Sequence, residues 1–290
     1  MKQCPSCSHL FQSESWECPA CTHQPLTDPG IPLLAPEVDT SADYPEDAFE
    51  EWAAFERANH FWFQPRATLL ARLARKCFPD SSSFLEVGCG AGSVWHRVSQ
   101  DPDYVRVTGG DPSVSALRMA KGRGGNGSLV QLDALNLPYF DEFDVVGAFD
   151  VLEHLEDDHL ALTQMSRAAI PGGGIIVSVP QHPWMWSQED DFAGHKRRYT
   201  RSGLKRLMQG CGLEVIKITS FAMTPLPALA LVRKIKPADP EFNPIRSGAE
   251  PKRFAGLLER ILNLEAKAIV SGASLPFGSS LVAVGRCAPD

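Results

Sequence analysis

Seven short β-type runs set the strongest limit on what this chain can become: SFLEVG (83–88), RVTGGD (106–111), SLVQLD (128–133), FDVVGAFD (143–150), GIIVSVP (174–180), LEVIKITSF (213–221) and SSLVAVGRC (279–287). Helical patterns fit between most of them. Such alternation suits a mostly parallel sheet covered on both faces, because each parallel crossover needs a connection of helix size. The expected class is α/β, with seven strands and helices on both sides. Ligands of such sheets bind beyond the carboxyl ends of the strands, where strand order reverses, so the residues that end each strand are the ones to inspect.

Those residues are Glu86, Asp111, Asp133 and Asp150, and the first is followed by glycine at every second position, Gly88, Gly90 and Gly92. Glycine costs backbone entropy, so three together imply a turn at positive φ or a close approach to the main chain. The x4-Gly-Lys-Ser/Thr spacing of a phosphate-binding loop is missing, and Ser93 stands where a dinucleotide fingerprint needs its third glycine. Glu86 would repel a pyrophosphate and attract an ammonium or sulfonium. The expected ligand carries a nucleoside and a cation but no phosphate.

Four of the eight cysteines lie in the first 21 residues, as Cys4-Pro-Ser-Cys7 and Cys18-Pro-Ala-Cys21. Two such knuckles, ten residues apart, have the spacing of a four-thiolate zinc ribbon, a closed and therefore structural site. A disulfide pair or a rubredoxin-type iron site are the rivals, and His9 and His23 are read as bystanders. Residues 1–25 are assigned to the ribbon. Residues 26–48, rich in proline, acids and small residues, are read as a linker, and 49–290 as the main domain. The chain opens without an apolar leader segment, and its longest apolar run, 221–232, is too short for a membrane span. With a formal net charge of -7, a cytoplasmic protein without a general nucleic-acid surface is expected.

LEVGCGAGS, GGDPS, LVQLDALNLPYFDEFDVVGAFDVLEHLED and PGGGIIVSVP, in that order, resemble the successive motifs of class I S-adenosylmethionine-dependent methyltransferases. The DVLEHLED stretch is similar to the quinone-biosynthesis O-methyltransferases and their relatives. The resemblance runs from about residue 60 to 221, plus the last strand. It implies a Rossmann-like fold and S-adenosylmethionine as cofactor. It also implies that Glu86, Gly88, Gly90 and Gly92 line the methionine end, with Asp150 beside them. Asp111 would then bind the ribose hydroxyls, and Asp133 with Ala134 would meet the adenine.

On the acceptor side, Asp150 and His154 stand at i and i+4, so a helix beginning there would turn both toward the methyl group. Glu153 and Asp157 could instead cap a helix. His154 and His195, with His182 behind them, are the candidate bases for a hydroxyl acceptor, each weighed against a structural role. The family commonly borders its acceptor with the segment after strand five, which here supplies Trp184, Trp186, Asp190, Asp191, Arg198 and Tyr199. Phe61, Trp62 and Phe63 stand where some relatives carry an amino-terminal lid, although core packing of a helix face accounts for them equally well. Pro65 suits the first turn of a helix whose apolar face is Leu69, Leu70, Leu73, Ala74 and Cys77.

An insertion at 222–278 carries an amphipathic helix in KRFAGLLERILNLEAKAIVSG. It leaves room for a hydrophobic or lipid-linked acceptor and for peripheral membrane contact. The expectation is methyl transfer to a small molecule, O-methylation first, with a protein partner for the ribbon. Two rivals are an RNA base methyltransferase using the ribbon and the run Lys196, Arg197, Arg198, Arg201, and a non-catalytic cofactor-binding adaptor.

Overall fold

The computed structural model describes residues 1–38, 51, 55–56, 58–235, 243 and 254–289. Two small hairpins come first, β1 (Lys2–Gln3) with β2 (Leu10–Phe11), and β3 (Thr27–Asp28) with β4 (Ile31–Pro32). The main domain follows as α1 (His60–Cys77), β5 (Ser83–Val87), α2 (Ser93–Ser99), β6 (Arg106–Asp111), α3 (Val114–Gly122), β7 (Ser128–Gln131), β8 (Phe143–Phe149), α4 (Asp158–Ala168), β9 (Ala169–Pro180), α5 (Gln188–Phe192), α6 (Arg201–Gly210), β10 (Glu214–Phe221), α7 (Leu226–Ile235), α8 (Ala255–Val270) and β11 (Ser280–Arg286).

The central sheet has seven strands in the order β10-β11-β9-β8-β5-β6-β7, and only β11 runs antiparallel to its neighbours. All five residues of β5 are buried, as a central strand with both faces covered requires. One apolar layer joins α1, α2 and α8 through Leu70, Leu73, Trp95 and Ile269. The other lies under α4 and α6 through Leu162, Met165 and Leu204. Strand order reverses between β5 and β8, which places the ends of β5, β6, β7 and β8 at one crevice. The Rossmann-like α/β expectation holds.

Three local expectations differ. α1 begins at His60, so Pro65 lies inside the helix rather than in its first turn; the helix end tolerates a missing N–H only while the bonds it interrupts are few. Residues 27–35 are not a bare linker: β4 runs beside β7, Leu33 bridges Gln131, and the Gln131 side chain bonds both the N–H and the carbonyl of Ala35. Ile31 is buried in the main core. The rest of the proposed linker, 39–48, lies outside the described residues. Finally, 151–155 is a turn rather than a helix, and Asp157 caps α4 by accepting from the Leu160 N–H.

The cysteine knuckles repeat one backbone pattern. Cys4 N–H donates to His9 O and Ser8 N–H to Cys4 O; Cys18 N–H donates to His23 O and Thr22 N–H to Cys18 O. Ser8 and Thr22 both have φ near +60°. The four sulfurs cluster within 4.8 Å, with Cys4 to Cys21 and Cys7 to Cys18 each at 3.7 Å. Thiolates about 2.3 Å from one tetrahedral ion stand about 3.8 Å apart, so the site fits zinc. The ribbon is fastened to the main domain by backbone bonds, Gln3 N–H to Pro138 O and Phe140 N–H to Met1 O, and by Trp16 set edge-on to Tyr139 at 5.6 Å.

Candidate active site

The chain turns sharply after β5 because Gly88, Gly90 and Gly92 all hold positive φ, from 52° to 81°. The space is equally restrictive: a Cβ on Gly88 would stand 2.4 Å from a Val151 methyl. Asp111, at the end of β6, accepts the Gly90 N–H at 2.7 Å and the Ser113 N–H at 2.9 Å, so its carboxylate fixes the glycine loop as well as its own turn. Asp133, just past β7, accepts the Leu135 N–H at 2.8 Å. Arg123 bonds the Ala91 carbonyl and the Glu56 carboxylate, tying the segment before α1 to the same loop.

Glu86 is 2% exposed, and its Oε2 has no hydrogen-bond partner. Burial pushes its carboxyl well above the ordinary range; Asp111 adds to that and Arg66 opposes it. A buried acid without a full set of partners beside a crevice fits a cationic ligand, which would ionise it. Because the unfolded chain releases this proton at the ordinary value, the stability tied to it is present below that value and is lost as pH rises through the raised one. Glu86→Gln should therefore gain thermal stability relative to wild type as pH rises above the ordinary carboxylate range. Parallel melting curves across that rise check it, and a constant difference would sink it.

The crevice beside Asp150 is organised by Arg66, which lies outside the recognised motifs. Arg66 Nη2 lies 2.7 Å from Asp150 Oδ2 and donates to Ser178 Oγ at 2.7 Å, while Ser178 Oγ donates to Asp150 Oδ1 at 3.1 Å. Its signal was present: Arg66, Leu69, Leu70 and Leu73 share one helical face, an odd place for a charge unless it is paired. Asp150 and His182 hold φ of 58° and 67°, left-handed values that non-glycine residues adopt at a cost and that cluster at functional sites.

Beyond β9, Asp190 is fully buried and accepts from Arg198 Nε at 2.7 Å, with His195 Nδ1 at 2.8 Å. Burial pushes the Asp190 carboxyl up, but the bonds from His195 and Arg198 outweigh it and hold it well below the ordinary range. The His195 and His154 rings meet edge-on at 4.8 Å, so the two histidines named from the sequence come together. His182 is pushed below the ordinary imidazole value by burial and by the Arg198 charge.

Other candidates have partners within the chain. Tyr199 donates to Asp158, and Trp186 donates to Asp191 while remaining 41% exposed. Trp184 lies against the His182 ring and is largely exposed. Phe61 and Trp62 pack on the core, Trp62 at 5.7 Å from Phe221. The basic run is consumed locally: Lys196 pairs with Glu156, Arg197 with Asp158 and Arg198 with Asp190, while Arg201 donates to the carbonyls of Ile218 and Leu275.

A family model described as a methyltransferase domain matches residues 57–218. Ajmaline N-methyltransferase of Rauvolfia serpentina is 28% identical over 183 residues, covering 54% of this chain and 62% of that enzyme, so the chain spans less than two thirds of that relative's length. A ubiquinone biosynthesis O-methyltransferase of Idiomarina loihiensis is 26% identical over 170 residues, 52% of this chain and 69% of the other. Among solved structures, a methyltransferase in complex with the Haloferax volcanii Trm112 activator aligns with a TM-score of 0.58 at 19% identity, covering 87% of this chain and 100% of that one. At that identity the likeness speaks for the fold.

Proposed function

The chain belongs to the methyltransferase-domain family of class I S-adenosylmethionine-dependent enzymes, and from that premise we propose that it methylates a small-molecule acceptor, a hydroxyl oxygen before a nitrogen. The observation that carries the reading is the convergence of Glu86, Asp111, Asp133 and Asp150 with the glycine loop at the point where strand order reverses. The cofactor supplies an activated methyl group on a sulfonium. Glu86 and the loop from Gly88 to Gly92 would hold its cationic end, Asp111 would accept from the ribose diol, and Asp133 with Ala134 would meet the base.

His195 is the favoured base for a hydroxyl acceptor, because ionised Asp190 keeps the proton on Nδ1 and leaves Nε2 to accept. His154, at its edge, is the other candidate. A base contributes about 10²–10⁴ in such a displacement, and orientation the larger share. Arg233 of α7 donates to the Met185 carbonyl and pairs with Glu189, so the insertion reaches the segment after β9. That contact supports an insertion covering the acceptor. Leu231 and Leu257, 58% exposed, and Phe254, 63% exposed, suit a hydrophobic or lipid-linked one. No helix among the described residues is long and apolar enough to cross a membrane.

Calorimetric titration with S-adenosylmethionine and S-adenosylhomocysteine tests the cofactor seat. Both should bind the folded, zinc-loaded protein, and Asp111→Ala should lose at least about tenfold in affinity, about 1.4 kcal/mol. Wild-type affinity in that variant would remove Asp111 from the seat. Mass analysis of turnover on hydroxyl and amine acceptors then decides the atom methylated.

A further inference from the structure

Glu153 is fully buried, and neither of its carboxylate oxygens has a hydrogen-bond partner. Such a group is costly to bury and belongs to an incomplete ligand set more naturally than to an apolar core. Its neighbours make the set. Lys196 N–H donates to the Glu153 carbonyl at 2.7 Å, which holds the 195–198 segment against the turn after β8. One ligand atom each from Glu153, His154 and His195 then lies within 4.8 Å of the others.

The orientation of His195 points the same way. Its Nδ1 is taken by Asp190, and Asp190 is fixed in turn by Arg198 Nε at 2.7 Å and the Ser187 N–H at 2.9 Å. Nε2 is therefore the ring nitrogen left to bind a ligand beside Glu153 and His154. A carboxylate behind a histidine, fixing its tautomer and its ring, is the usual outer support of a metal-bound imidazole.

We propose that Glu153, His154 and His195 form a binding site for a first-row divalent cation, separate from the cysteine site and built from oxygen and nitrogen donors. Two imidazoles and one carboxylate suit zinc or a similar ion and leave a coordination position open. Ligands about 2.1 Å from one ion stand about 3.4 Å apart, so the site must contract by up to about 1.4 Å. His154 sits exposed on a turn, where such an adjustment is cheap. On the methyl-transfer reading, and resting on it, the open position faces an acceptor oxygen and favours its ionised form, so that with the ion bound His195 and His154 act as ligands and the ion replaces a histidine base. The site itself does not depend on that reading.

The test is metal stoichiometry on the full-length chain, stripped and reloaded with Zn²⁺ or Co²⁺. Wild type should take up about two ions per chain, one with a thiolate-to-cobalt charge-transfer band and one without. Glu153→Gln and His195→Gln should each keep only the thiolate-bound ion, and Asp190→Asn should weaken the second ion about 10–100-fold. The retained thiolate band and thermal transition report that each variant is folded.

In wild type, Mn²⁺ should broaden the ring signals of His154 and His195 ahead of those of His9 and His23. A single thiolate-bound ion, or a second ion that survives both substitutions, overturns the site. Cofactor binding is measured separately. A second ion bound without any affinity for S-adenosylhomocysteine would leave the site standing and remove the proposed function, and the converse result would do the reverse.

Discussion

Stripping the ribbon's metal should unfold residues 1–25 while the seven-stranded sheet keeps a cooperative transition of its own. The ribbon's buried apolar set is Cys4, Phe11 and Cys18 with Trp16 packed against it, and its strands are two residues long. That surface cannot offset the ordering of so many residues, whereas a four-thiolate zinc site contributes about 10–16 kcal/mol. The main domain should nevertheless feel the loss. It gives up two backbone bonds to Met1 and Gln3 and the Trp16 to Tyr139 contact, together about 2–3 kcal/mol, or roughly 4–10 °C in its melting temperature.

Calorimetry with chelator and reductant, against reductant alone, separates a metal site from disulfides. Protease cleavage before residue 26 and a shift in Trp16 emission should accompany chelation only. A ribbon that stays protected after complete metal removal would show that packing against 138–140 holds it, and the zinc assignment would lose its structural meaning.

What the sequence made legible was whatever a local rule governs. Strand runs, the glycine turn and the cysteine spacing each follow from a short-range constraint, and each appears in the fold at or near its expected bounds. Long-range pairing was hidden. The 27–35 segment shows no apolar period because its attachment to β7 runs through backbone and the Gln131 side chain, which no periodicity records.

The Asp190, His195 and Arg198 set read as an acidic stretch followed by a basic one, since charge alone does not reveal which members are buried. Glu153 read as a helix cap, yet the chain turns at 151–155 instead of starting a helix, and the acid is carried inward. Trp62 read as a lid or as core, and its packing on Phe221 favours core.

Arg66→Ala should be the most damaging single change in the main domain outside its apolar core. The guanidinium is 10% exposed and meets Asp150 and Ser178 directly, and its charge also opposes the upward shifts of Glu86 and Glu153. Truncation leaves an acid-rich crevice with its nearest compensating charge removed, and breaking a buried pair in this way costs about 3–5 kcal/mol. Asp150 is 39% exposed, so water recovers part of that and the lower end, about 3 kcal/mol, is expected.

Arg66→Lys keeps the charge but loses the fork that reaches Asp150 and Ser178 together, and should recover only part of the loss. The combination Arg66→Met with Asp150→Asn should cost less than the two single changes added, because the second removes the charge that the first stranded. Denaturant unfolding of wild type, Arg66→Met, Asp150→Asn and the double variant measures the coupling. Additive losses would mean that Arg66 serves α1 packing alone, whereas a coupling of about 1 kcal/mol or more would establish it as the residue that lets one crevice hold this many acids.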